Sequence, residues 1–315
     1  MMSSLGQNQS CYNPLAMKHL LIIALLVIAG MGFPNTPSPH NPTTPVSKET
    51  PVKPIKIYIH TDLEGISGVD RFEMMDQTTE GYQTARKLLM EDINAAVEGA
   101  FEGGADEVVV LDSHNGAHNF LPDLLHKRAK VDPRANKKWW AALDDTYSGC
   151  FFIGAHAMSG TINAFLDHTQ SSINWHDYSI NGRRWGELAQ WAMVAGNFGV
   201  PMLMVSGDEA ACKEAHDFFD PIETAVVKKA VGRNKAELVP LDDAHARIRE
   251  AAKKSISLIG EAKPFKVKMP MEIVLEYNRS DYCDSAAKNL PTWERLDART
   301  IRKVTSDPLE LLPRP

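Results

Sequence analysis

Residues able to bind metal follow strand-like runs in four widely separated segments of this 315-residue chain. The segments are His60–Glu64 (HTDLE), Asp112–His114 (DSH), Gly154–His156 (GAH) and Gly186–Glu187 (GE). The candidate ligands are three carboxylates and two imidazoles, on Asp62, Glu64, His114, His156 and Glu187. Hydrolytic zinc sites use this ligand set. A fold that brings the four segments together would therefore create a metallohydrolase site, and the pattern predicts one.

Short apolar runs alternate with helical patterns through the rest of the chain. Strands are predicted at Lys56–His60, Glu107–Leu111, Cys150–Ile153, Tyr178–Ile180, Met202–Val205 and Met271–Tyr277. Helical spacing is found at Leu89–Ala100, Glu187–Ala195 and Ala244–Leu258, and Asn181-Gly182 predicts a hairpin turn. This alternation indicates an α/β fold with a mainly parallel sheet flanked by helices on both faces. In such sheets ligands bind beyond the carboxyl ends of the strands, where the candidate ligands fall.

Each candidate ligand also has an ordinary structural interpretation. Asp62 and Glu64 could be solvated acids, although two carboxylates on one face of an extended segment repel unless a cation or proton lies between them. A lone histidine such as His156 is more often a hydrogen-bonded core residue, and Glu187 would be favourable at any helix start. Asp112 could accept a hydrogen bond from a ligand histidine and orient it. The occurrence of all four segments in one α/β pattern favours the metal site.

The chain also resembles a known family. The motifs are IHTDLEGISGV, VVVLDSHNGAHN, ALDDTYSGCFFIGAHAMSG, FLDH, SINGRRWGE and PMLMVSGDEAACKEA. In order and spacing they are similar to those of the zinc-dependent D-aminopeptidases of the self-compartmentalising dipeptide-operon type, from about Ile57 to about Val304. The resemblance implies a site with two zinc ions, bridged by Asp62. The other zinc ligands that it implies are Glu64, His114, His156 and Glu187.

The resemblance further implies that His168, in the FLDH motif, is the catalytic histidine. It would donate a proton to the leaving amine while a metal-activated water attacks the scissile carbonyl. The substrates implied are short peptides with an N-terminal D-amino acid, and the implied assembly is a homo-oligomer.

Two other functions remain compatible with the same residue types. A two-metal phosphoesterase would use carboxylate and imidazole ligands equally well, although no Gly-rich phosphate loop or Arg cluster accompanies the motifs. A protein that only binds metal or peptide would not need a free imidazole such as that of His168 beside a filled ligand set. Activity of a His168→Ala protein separates this binding function from catalysis.

The N-terminal residues predict export. Met17-Lys18-His19 precedes an apolar run, Leu20–Phe33, that is shorter than the ~20 residues of a membrane span. Residues 34–54 contain seven prolines and no aromatic residue, which is typical of an extended linker. We therefore predict an extension and export signal in residues 1–33, a linker in 34–54 and a catalytic domain in 55–315. The enzyme would be periplasmic or extracellular, either released or tethered to the membrane.

Composition excludes two other classes of partner or site. The chain has 34 Lys and Arg against 40 Asp and Glu without a basic cluster, so nucleic acid is not an expected partner. Cys150, Cys212 and Cys283 show no paired spacing, which argues against a disulfide framework and against thiolate metal ligands. Oxygen and imidazole groups would therefore hold any metal.

Overall fold

The computed structural model describes residues 53–134 and 138–314, which form two β-sheets and five α-helices. In chain order the strands are β1 Lys56–Thr61, β2 Glu107–Asp112, β3 Lys130–Val131, β4 Gly149–Ala155, β5 Trp175–Ile180, β6 Arg183–Arg184, β7 Met202–Asp208, β8 Glu223–Gly232, β9 Lys235–Leu238, β10 Met271–Tyr277, β11 Glu294–Arg295 and β12 Thr300–Thr305. The helices are α1 Glu80–Glu102, α2 Glu187–Asn197, α3 Glu209–Phe218, α4 Leu241–Ser255 and α5 Ser280–Asn289. The predicted export signal and all but the last two residues of the predicted linker lie outside the described residues.

The larger sheet has seven strands in the order β3-β2-β1-β4-β7-β8-β9. All neighbouring pairs are parallel except β8 and β9, which pair antiparallel. The central strands are almost wholly apolar because both of their faces are covered. On β1, Ile57 and Ile59 pack into one core cluster and Tyr58 into the other, as expected for side chains that alternate between two buried faces. The mainly parallel α/β fold predicted from the sequence is confirmed.

Helices cover both faces of this sheet. Helices α1 and α4 supply the apolar cluster on one face, and α2 is buried in the cluster on the other. Helix α1 begins where the Thr79 side chain accepts a hydrogen bond from Tyr82 N, and its predicted apolar stripe, including Leu89 and Ile93, is buried. Gly103 ends the helix, and Gly104 takes a φ of +107°, a conformation that favours glycine.

The second sheet is antiparallel and has the order β11-β12-β10-β5-β6. The turn predicted at Asn181-Gly182 connects β5 to β6, and the predicted late strand is β10. Residues of β10 alternate between buried and half-buried, with Met271, Ile273 and Leu275 in the same apolar cluster as α2. The second sheet therefore shares an apolar cluster with α2, a packing layer that was not predicted from the sequence.

The topology gathers the carboxyl ends of three neighbouring strands. Strands β2, β1 and β4 are adjacent and parallel, so the residues that follow them meet at one edge of the sheet. Asp62 follows β1, His114 follows β2 and His156 follows β4 directly. Helix α2 starts at Glu187, which reaches the same edge.

Candidate metal centre

The loop after β1 carries Asp62 and Glu64 into the site, and both side chains are buried. Asp62 N donates to Ile153 O, and Gly65 N donates to Gly154 O, each at 2.8 Å, so the loop is held against β4. Any side chain at Gly65 would overlap the carbonyl group of Ala155, directly before His156. Glycine at position 65 therefore allows the two ligand segments to lie in contact.

A buried lysine holds the same loop from the side of β8. Lys228 is fully buried, and its Nζ donates to Glu64 O and to Val69 O, each at 2.7 Å. It also lies 4.7 Å from the centre of the Phe165 ring. Burial lowers the pKa of Lys228 to about 7. Lys228 was not predicted as a site residue, because a lysine in a strand is ordinarily solvent-exposed.

His114 lies in a 3-10 turn after β2, with its Nε2 3.3 Å from Glu64 Oε1. The expectation that Asp112 would orient a histidine is wrong. The Asp112 carboxylate instead accepts three hydrogen bonds, from Asn119 N, Asn119 Nδ2 and Phe120 N, at 2.7–3.1 Å. Asn119 takes the orienting position, because its Nδ2 donates to His114 O at 2.7 Å and its Oδ1 lies 3.4 Å from His114 Nδ1. The Asp112 carboxylate therefore acts on His114 through Asn119, a residue that was not predicted from the sequence.

His156 has a ring orientation suited to a metal ligand. Its Nδ1 lies 3.1 Å from Ala157 O, and a carbonyl oxygen only accepts, so Nδ1 carries the hydrogen. The lone pair is then on Nε2, which lies 3.3 Å from Asp62 Oδ2 and 3.4 Å from Glu187 Oε1. Nε2 is buried without a hydrogen-bond partner among the described residues, and so is Glu64 Oε2. A lone pair facing two carboxylates is stable only with a cation or proton between them, so these atoms fit a bound metal ion.

His168 lies on the loop between β4 and β5. Its Nδ1 lies 2.8 Å from Leu166 O, which leaves Nε2 free to face the site at 3.8 Å from Glu187 Oε1. The imidazole stacks on that of His156, with ring centres 4.0 Å apart and planes inclined by 10°. Burial, followed by the charge of His156, lowers the pKa of His168.

Three contacts fix the loop that presents His168. Phe165 N donates to Asp208 Oδ2 at 2.9 Å, and Leu166 N donates to Arg233 O at 2.7 Å. Gln170 N donates to Glu187 Oε1 at 2.7 Å, so the loop also binds a candidate ligand directly. The other oxygen of Asp208 caps α3 by accepting from Ala211 N.

The six predicted site residues fall into two groups of three, whose donor atoms lie within 4.8 Å of one another. One group is Asp62, Glu64 and His114; the other is His156, His168 and Glu187. Asp62 joins the groups through its contact with His156. The structure thus places every predicted site residue in one centre whose oxygen and imidazole donors suit zinc. The role of each residue, as ligand or as proton donor, remains a prediction.

Burial and neighbouring charges shift the pKa values of the residues in this centre. Burial and the neighbouring Glu64 charge raise the pKa of Asp62 to about 7. Burial opposes ionisation of Glu64, but His114 lowers the pKa of this carboxyl well below its ordinary value. Burial also disfavours a charged His156, but the carboxylates of Asp62 and Glu187 raise the pKa of His156 well above its ordinary value. The carboxylates therefore require compensating positive charge, which protons on the histidines or a divalent cation can supply.

A cleft of about 510 Å³ is lined by all of the predicted site residues except His156. Its wall includes His60, whose ring stacks on Trp191 with centres 4.2 Å apart. Burial lowers the pKa of His60 to about 3, so this histidine is neutral at physiological pH. His60 belongs to the first sequence segment, but neither group of candidate ligands includes it. The size of the cleft suits a small substrate.

Comparisons with known proteins agree with this geometry. The family model of the D-aminopeptidases, Peptidase M55, matches residues 55–313. A D-aminopeptidase of Bacillus subtilis (strain 168) is 32% identical over 238 residues, which cover 75% of this chain and 85% of the relative. Among solved structures the fold is similar to that of the Zn-dependent D-aminopeptidase DppA from Bacillus subtilis, described as a self-compartmentalizing protease. The TM-score is 0.76 at 28% identity, covering 82% of this chain and 94% of DppA. The resemblance inferred from the motifs is confirmed, and the chain belongs to the Peptidase M55 family of D-aminopeptidases as a metallo-aminopeptidase.

Proposed function

We propose that this metallo-aminopeptidase binds two zinc ions and hydrolyses short peptides that carry an N-terminal D-amino acid. The observation that carries the proposal is the buried Nε2 of His156, which faces Asp62 and Glu187 without a hydrogen bond. Asp62 is also grouped with Glu64 and His114. We therefore infer two ligand sets that share Asp62. One set adds Glu64 and His114, and the other adds His156 and Glu187.

The ring geometry supports a role for His168 other than binding the ion held by His156. The lone pair of an imidazole nitrogen lies in the plane of its ring. Because the rings of His156 and His168 are stacked 4.0 Å apart and nearly parallel, an ion in the plane of one lies well outside the plane of the other. His168 is therefore left as an imidazole beside the ligand set, as general acid–base catalysis requires.

The side chains divide the chemistry between them. Zinc held by the candidate ligands would supply a Lewis acid and lower the pKa of a water molecule, so that the water could attack a peptide carbonyl near neutral pH. His168 keeps the hydrogen on Nδ1 through Leu166 O. Its Nε2 would take up the proton that the attacking water loses and pass it to the leaving amine. The loop contacts of Phe165 and Gln170 hold this imidazole in place.

A parallel assay of stereoisomers tests the substrate class. With zinc present, the full chain should hydrolyse D-alanyl-D-alanine with a kcat/KM about 10²-fold above that for L-alanyl-L-alanine. The expectation comes from the family and from the names of the relatives. Release of free alanine measures both rates. Faster hydrolysis of the L-peptide, or no hydrolysis of either, would refute the proposed specificity.

We also propose that the chain assembles as a homo-oligomer, because the similar DppA structure is described as self-compartmentalizing. Light scattering of the purified chain should give a mass that is a multiple of 34.9 kDa. Dilution should dissociate the assembly and lower activity if the oligomer is needed for function. A fully active monomer would show that assembly is dispensable.

Export is proposed from the apolar run Leu20–Phe33 and the Pro-rich residues 34–54. All but the last two residues of these segments lie outside the described residues. Within the described residues no helix is long and apolar enough to cross a membrane. Fusion of residues 17–54 to an enzyme that is active only outside the cytoplasm should produce reporter activity. A matched fusion with Leu25 and Leu26 changed to Asp should be silent. A silent unmodified fusion would reject the export signal.

A further inference from the structure

The cleft that contains the candidate ligands is also lined by two arginines, Arg134 and Arg314. Arg134 Nη1 donates to Asp112 O at 2.7 Å, which places this guanidinium group at the carboxyl end of β2. Because His114 follows the same strand end, Arg134 lies on the side of the cleft that carries this ligand. The arginines are not part of either candidate ligand group.

Arg314 is positioned by the segment that precedes it. Leu311 is fully buried, and its carbonyl accepts a hydrogen bond from Tyr178 OH at 2.7 Å. Leu312 is also buried and lines the cleft. The guanidinium carbon of Arg314 lies 5.6 Å from the centre of the Trp139 ring, another cleft residue. These contacts anchor the chain just before Arg314, which places its side chain at the cleft.

Neither guanidinium group forms an ion pair with a carboxylate within residues 53–134 and 138–314. Several other arginines in these ranges are paired, as Arg302 is with Glu272 and Glu294. Partial burial and the neighbouring charge of Arg134 lower the pKa of Arg314, so the two cations are close enough to repel. Two guanidinium groups that face a cleft together favour an anion, and their planar geometry matches a carboxylate.

We propose that Arg134 and Arg314 bind the free C-terminal carboxylate of the peptide substrate. This inference rests on the proposed peptidase function. It assigns a binding site to the carboxyl end of the substrate, which the proposed function leaves undefined. One part of the cleft presents Asp62, Glu64 and Glu187 to the reacting end of the peptide, and the arginines hold its carboxyl end. A substrate fixed at both ends in a cleft of about 510 Å³ must be short.

Binding to an inactive variant tests the proposal without turnover. Calorimetry of the zinc-loaded His168→Ala chain should show that D-alanyl-D-alanine amide binds roughly 10–100-fold more weakly than the free acid, as expected for loss of charge-assisted hydrogen bonds. Adding Arg314→Gln should weaken binding of the acid by at least about 10-fold and leave the amide unchanged. Adding Arg279→Gln, at an exposed arginine paired with Asp281, should change neither value.

Equal affinity for acid and amide, undetectable binding of both, or equal weakening of both by Arg314→Gln would overturn the proposal. The amide of D-alanyl-D-aspartate has a side-chain carboxylate but no free C-terminal carboxylate. Its affinity therefore shows which of the two carboxylates the arginines bind. Recovery of tight binding by that peptide would show that the arginines read a side chain and would also overturn the proposal. The same comparison of free acid with amide is made for the L-peptides. It tests carboxylate recognition separately from the proposed D-specificity, because the arginines can bind a carboxylate even if the enzyme does not prefer D-peptides.

Discussion

In the His168→Ala variant, kcat for a D-alanyl peptide is expected to fall by roughly 10²–10⁴-fold, the usual contribution of general acid–base catalysis. Bound zinc should remain unchanged, because the His168 ring is stacked on the plane of His156 and does not point at the same ion. Steady-state kinetics and elemental analysis of one preparation measure the two quantities together.

His176 offers a matched control for this substitution. It is an exposed histidine on β5 and belongs to neither group of candidate ligands, so His176→Ala should keep both activity and zinc. Loss of zinc from the His168→Ala variant would identify His168 as a ligand and leave the proton donor unknown. Full activity with full zinc would exclude His168 from catalysis and favour another donor in the cleft.

The convergence of the candidate ligands could be predicted from the sequence because their signal is local. Each of Asp62, His114 and His156 stands just after a short apolar run, and parallel strands bring such positions to one edge. Glu187 could be assigned from the helical spacing that follows it. The family motifs added His168, whose own segment has no clear periodicity.

Contacts between distant segments could not be predicted in this way. Lys228 is followed by a second lysine, as in many exposed strands, yet the loop after β1 folds over it and supplies two carbonyl acceptors. Asn119 can orient His114 because the Asp112 carboxylate holds it in place, accepting hydrogen bonds from Asn119 N and Nδ2. Both effects depend on chain segments whose proximity is set by the tertiary fold.

The second sheet shows the same limit for whole elements. Strands β5 and β10 were each predicted, but Ile180 pairs with Ile273 across a long sequence separation. Alternating burial along β10 indicates a sheet with one covered face, and the buried residues of that face belong to the same apolar cluster as α2. Without the pairing partner, a sequence pattern indicates a strand but does not assign it to a sheet.

Removal of the metal is expected to abolish activity, and Asp62 should be the most sensitive ligand. Asp62 Oδ2 lies 3.3 Å from His156 Nε2, and Asp62 is grouped with Glu64 and His114, so it would contact both ions of the proposed pair. We expect about two zinc ions per chain, complete loss of activity after chelation and recovery on adding zinc. Asp62→Ala should lower activity by more than ~10²-fold, a loss that can follow from disturbing even an outer partner of a metal ligand.

Glu64→Ala should remove less zinc than Asp62→Ala, because Glu64 contacts one group while a bridging carboxylate serves both ions. Asp177→Ala is the matched control, since this half-buried acid pairs with Arg184 outside the cleft and should leave zinc and activity unchanged. Zinc content and kcat, measured on the same preparations, show whether the two ions share Asp62. Equal zinc loss in the Asp62 and Glu64 variants would show that the ions do not share Asp62, and activity that survives chelation would refute the metal mechanism.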